Sequence, residues 1–142
     1  MSDSLLAGAS ELRGRLLAVL RGVMDELALR VTASAGDDLK GGKLAVSGWT
    51  NTSGIVSAFL SFLPSSDPRS ESLDACLCIS PIEGGLHLRA DIAWSDGRLV
   101  ADVMEVDIPR QSDEIALKDV QRAAVEATGQ MATLLPSLIV NS

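Results

Sequence analysis

Residues 86–108, "LHLRADIAWSDGRLVADVMEVDI", hold two alternating arms around a tight turn. How the arms pair decides the fold. A one-residue slip would carry every side chain of one arm to the opposite sheet face. Two turns fit the stretch. A two-residue loop at Asp96-Gly97 sets Asp91 against Asp102, Leu88 against Glu105 and Leu86 against Asp107. A three-residue loop, Ser95-Asp96-Gly97, places Gly97 in the left-handed conformation. It sets Leu86 against Val106, Leu88 against Met104 and Ile92 against Val100. On its other face His87 meets Glu105, Asp91 meets Ala101 and Ala93 meets Leu99. Cross-strand pairs are worth roughly 0.2–1 kcal/mol each. The three-residue loop gains the apolar pairs and avoids facing aspartates, so it is the expected register.

That register leaves Asp102 awkward, in the apolar row opposite Ala90. Either a local bulge or a partner such as Arg98 accommodates it, or it is a buried carboxylate of perturbed pKa. The same register puts Ala93, Leu99, Ala101 and Val103 on the outer hairpin face. They form a candidate partner-binding patch, provided that no helix covers them.

The flanking sequence supplies the other elements. From about 4 to 32, Leu5, Ala9, Leu12, Leu16, Leu20, Val23, Leu27 and Val31 recur at threes and fours, with charged residues between them. This predicts a helix weakened by Gly8, Gly14 and Gly22, each by up to about 1 kcal/mol, so that either tertiary packing offsets the cost or the helix is interrupted there. Strands are expected at about 43–50, 54–63, 73–80, 85–94 and 98–108. Residues 54–63 also fit a helix, but the Asn51–Gly54 turn favours a hairpin. Leu73, Ala75, Leu77 and Ile79 give the third strand a second apolar face. A closing helix at about 112–136 is capped by Ser112. Its apolar positions are Leu117, Val120, Ala124, Ala127, Met131, Leu134 and Leu138, and Pro136 ends it or kinks its last turn. The reading is one α+β domain: an antiparallel meander of about five strands, flanked by a long N-terminal helix and a C-terminal helix. If both helices lie on one side, one sheet face is left partly uncovered.

Composition narrows the chemistry. The 142 residues are 46% apolar but only 3% aromatic, so the core must be aliphatic. A net charge of −7 opposes binding to a nucleic-acid backbone, which needs clustered cations. No signal peptide and no membrane-length apolar run is read, which points to a cytoplasmic protein with reduced thiols. Cys76 and Cys78 share one strand face, spaced poorly for a disulfide, and with His87 they fall short of a four-ligand metal set. No metal or cofactor is expected. His87 is the only histidine. With no nucleophile elbow, phosphate loop or dinucleotide fingerprint, no catalytic set is expected either.

Residues 84–127, "GGLHLRADIAWSDGRLVADVMEVDIPRQSDEIALKDVQRAAVEA", resemble the end of small acidic secretion-chaperone-like proteins. The shared features are a hairpin with "DGRLV", an acidic break and a closing amphipathic helix. That family consists of helix–sheet–helix dimers that bind other polypeptides, with a helix in mid-sheet where this chain reads as strand or loop. Small acidic immunity proteins, which block a toxin by binding it, fit equally well. The resemblance implies a non-catalytic homodimer with a polypeptide partner. The alternative is a small-ligand binder or enzyme with a pocket between helices and sheet near Asp102.

Overall fold

The computed structural model describes residues 2–39, 42–64 and 71–140, with side chains from residue 10 onward apart from those of 37 and 38. The elements run α1 (Ser2–Ala35), β1 (Lys43–Thr50), β2 (Val56–Leu63), β3 (Leu73–Ile82), β4 (Gly85–Trp94), β5 (Leu99–Pro109) and α2 (Asp113–Val140), with a short 3-10 turn at Gly36–Leu39. The strands form one antiparallel sheet in the order β1-β2-β3-β4-β5. The protein is an α+β meander. Residues 56–63 are strand, entered through a turn in which the Asn51 carboxamide oxygen accepts from the Ser53 and Ile55 amides at 3.0 and 3.2 Å.

Both helices lie on the same face of the sheet. α1 packs over β1 and β2, α2 over β4 and β5, and the two pack on each other. One core joins Leu16, Leu20, Met24, Leu27 and Val31 of α1 to Ala58 and Leu60 of β2, Leu77 of β3, Leu88 and Ile92 of β4, and Val120, Ala124 and Met131 of α2. Leu73, Ala75, Leu77 and Ile79 are all buried against the helices. They are therefore not a second apolar face. The opposite face of β3 carries Asp74, Cys76, Cys78 and Ser80.

Two helix details bear on the sequence reading. α1 is unbroken through Gly14 and Gly22, and its stripe from Leu16 to Val31 is buried in the core. α2 continues past Pro136 to Val140. Proline removes one amide donor, and in the last turns that costs little continuity. The buried stripe of α2 also drifts: Leu135 and Ile139 are buried, while Leu134 is 39% exposed. A 3.6-residue helix slides past a strict three-four repeat over this length. By length and composition α2 is also apolar enough to cross a membrane. A third of that apolar stretch is buried in the fold, while Ile115, Val125, Leu134 and Val140 of α2 are exposed.

The β4–β5 hairpin corrects the expected register. The turn is the three-residue loop: Trp94 N–H donates to the Arg98 carbonyl at 2.9 Å, and Gly97 has φ +96°. Two bulges then follow. Ala93 faces Leu99, Ile92 faces Ala101, Asp91 faces Asp102 and Ala90 faces Met104. Val100 and Val103 are the extra residues. Each bulge reverses the facing of β5, and together they restore it two residues out of step. Leu86 therefore faces Ile108, His87 faces Asp107 and Leu88 faces Val106. Gly97 has no atom near where a Cβ would stand. Gly97→Ala should then cost about 1–2 kcal/mol through backbone strain alone, with Gly97→Asn recovering part of it. Urea denaturation measures both.

Candidate binding face

The candidate site is the sheet face that the helices leave open. Its residues follow from the ladder. Trp49 pairs with Ser57, Phe59 with Cys76, Cys76 with Asp91, and Asp91 with Asp102. The face divides in two. On β1 and β2 it carries Lys43, Ala45, Ser47 and Trp49, then Ser57, Phe59, Ser61 and Leu63. Lys43, at the corner, is the one charge among these. On β4 and β5 it carries Asp91, Asp102, Glu105 and Asp107 against Arg89 and His87. Trp49 and Leu63 are 46% and 41% exposed.

The bulges redistribute the patch read from the sequence. Ala93 and Leu99 stay on the open face, and Leu99 is 54% exposed. Ala101 and Val103 do not: both pack against the helix-side core. Asp102 moves the other way. It is exposed and lies on the open face, away from the helices. The pocket between helices and sheet therefore has no carboxylate from Asp102. Arg98 does not reach it either. That guanidinium donates to Asp96 and Glu71, both at 2.6 Å, and lies 5.9 Å from the Trp94 ring centre.

Three groups on this face have shifted proton affinities. Burial holds the Asp91 carboxyl above its ordinary range; Arg89, 3.2 Å away, opposes the shift and Asp102 adds to it. His87 is raised mainly by its hydrogen bond to Asp107, with Glu105 helping. Nδ1 lies 2.7 Å from Asp107 and Nε2 3.4 Å from Glu105. Burial pushes the Cys76 thiol up to about 12, aided by Asp91. A thiol of that kind stays protonated and is a poor nucleophile near neutral pH. The Ser57 hydroxyl lies 3.3 Å from Cys78 Sγ.

Ser80, His87 and Asp107 form a row across β3, β4 and β5. Such a row invites comparison with a nucleophile, a base and its orienting carboxylate. The imidazole Nε2, however, is directed at Glu105. Among the described residues no three of His, Cys, Asp and Glu converge to hold a metal ion. On the far side of the molecule, a groove of about 630 Å³ between α1 and α2 is lined by Ala18, Val19, Val23 and Val125, with Glu26 and Arg30 at its rim.

No protein family, curated protein or solved structure matches the chain. The likeness of residues 84–127 to secretion chaperones therefore remains one of pattern. The division of the open face was not legible in the sequence. It depends on Val100 and Val103 being extra residues, and bulges carry no strong residue signature.

Asp102→Asn should stabilise the fold, because it removes a like charge directly opposite Asp91. The gain should be about 0.2–1 kcal/mol near pH 7. The raised pKa of Asp91 means that the folded chain holds that proton more tightly than the unfolded chain. Its contribution to stability is therefore fullest below the ordinary value of 3.8 and is lost as pH rises through the folded value. The Asp102→Asn gain should shrink as acid neutralises Asp91. Chemical denaturation at neutral and acid pH reads both.

Proposed function

We propose that this chain is a non-catalytic, cytoplasmic binding protein that self-associates and takes another polypeptide on its open sheet face. One observation carries the reading: both helices cover the same side of the sheet, leaving a five-stranded face on which the β1–β2 half, with Lys43 its one charge, lies beside an acidic half. A broad face with exposed Trp49 and Leu63 offers apolar contact area, and aromatic anchors contribute heavily to such interfaces. The acidic half steers and orients a cationic partner. The matching partner is a polypeptide segment with apolar and basic residues side by side.

The test uses two defined peptides, one alternating Leu and Lys and one alternating Leu and Glu, titrated against the whole chain by tryptophan fluorescence. The Leu/Lys peptide should bind and perturb the emission, more weakly at high salt. Glu105→Gln with Asp107→Asn should weaken it by about tenfold. Equal affinity for both peptides, or none for either, contradicts the reading.

A further inference from the structure

The two edges of the sheet are built differently. β5 is guarded: it carries two bulges, the exposed carboxylates Asp102, Glu105 and Asp107, and a closing Pro109. Bulges, inward or edge charges and proline are the devices by which proteins keep an edge strand from pairing with another chain. β1 has no bulge, carboxylate or proline. It pairs with β2 without a register break from Lys43↔Leu63 to Thr50↔Val56, and its one charge is Lys43 at the start.

Which backbone groups face outward follows from the turn. The Asn51 amide donates to the Ile55 carbonyl at 3.2 Å, continuing the same ladder. In an antiparallel pair, hydrogen-bonded residues alternate. The odd-numbered residues of β1 therefore bond β2, and Leu44, Val46 and Gly48 present their N–H and C=O groups to an edge that no other described strand pairs.

We propose that β1 is the self-association edge: two copies pair β1 to β1 antiparallel about a two-fold axis at Val46. This rests on the reading of the chain as a self-associating binding protein, and it names the surface. The register sets Val46 against its own copy, Leu44 against the copy's Gly48, Ala45 against Ser47 and Lys43 against Trp49. Val46 then makes a β-branched cross-strand pair, and the Lys43 ammonium reaches an indole face. Charge selects the edge. Each copy carries −7, and pairing through β5 would bring its carboxylates together, whereas pairing through β1 sends them to the two far ends. The result joins five strands to five in one continuous sheet. Its open face has the β1–β2 halves, with Lys43 their one charge, at the centre and an acidic strip on each flank, a longer track for an extended polypeptide.

Sedimentation of the whole chain at high micromolar concentration, with amide hydrogen exchange followed by NMR, tests this. The expected result is a dimer in which the Leu44, Val46 and Gly48 amides exchange slowly. Ala45→Glu with Ser47→Glu, both at exposed positions, should raise the dimer dissociation constant by at least about tenfold with an unchanged circular dichroism spectrum. A monomer overturns the proposal. So does a dimer in which those three amides exchange freely, since it would use another surface. If the monomer still takes the Leu/Lys peptide, self-association and its edge fail together and the polypeptide-binding reading stands. If the dimer forms but neither peptide binds, the reverse holds.

Discussion

The architecture turns on one constraint: Asp102 cannot lie under the helices as a lone carboxylate. A regular β5 continuing the Ser95-Asp96-Gly97 turn would place it opposite Ala90, which is fully buried. An unpaired buried charge costs several kcal/mol, far more than a cross-strand pair contributes. Two bulges resolve the conflict. Val103 and Val100 drop out of the ladder, Asp102 turns to the open face, and the apolar row resumes at Met104. The cost is two unpaired residues and a like-charge pair with Asp91, and these are smaller terms. The same bulges disturb β5 as a pairing edge.

A second consequence follows from where the helices lie. Each needs to bury one stripe, and the sheet offers an apolar row on β2, β3 and β4 wide enough for both. With α1 and α2 side by side, the remaining face is left to whatever its own residues favour. Those residues are serines, thiols, two aromatics and, toward β5, carboxylates. Such a face is too polar to be a missing half of the core and too apolar near Trp49 and Phe59 to be featureless.

Element types were readable because periodicity is local. The long three-four stripe of α1, the Asn51 turn, the alternating arms of β4 and β5, and the Ser112 cap each act within a few residues. The facing of Ala101, Val103 and Asp102 was not readable, because a bulge is decided by the sum of burial costs over the whole hairpin. Reading the arms as one rigid register split Asp91 from Asp102 and put Val103 outside. The awkwardness of Asp102 was nevertheless the signal, and a bulge was among the readings it allowed. The split of the open face into its β1–β2 and acidic halves needed the strand order as well. Residues 43–63 and 86–107 share that face only through β3.

The hairpin register is where this account is most exposed to measurement. Nuclear Overhauser contacts across β4 and β5 in the isotope-labelled chain report it pair by pair. Contacts linking Leu88 with Val106, Asp91 with Asp102 and Ala93 with Leu99 are the predicted result. Contacts linking Leu88 with Met104 and Ala90 with Asp102 would mean an unbulged strand with its carboxylate beneath the helices, and would contradict the account.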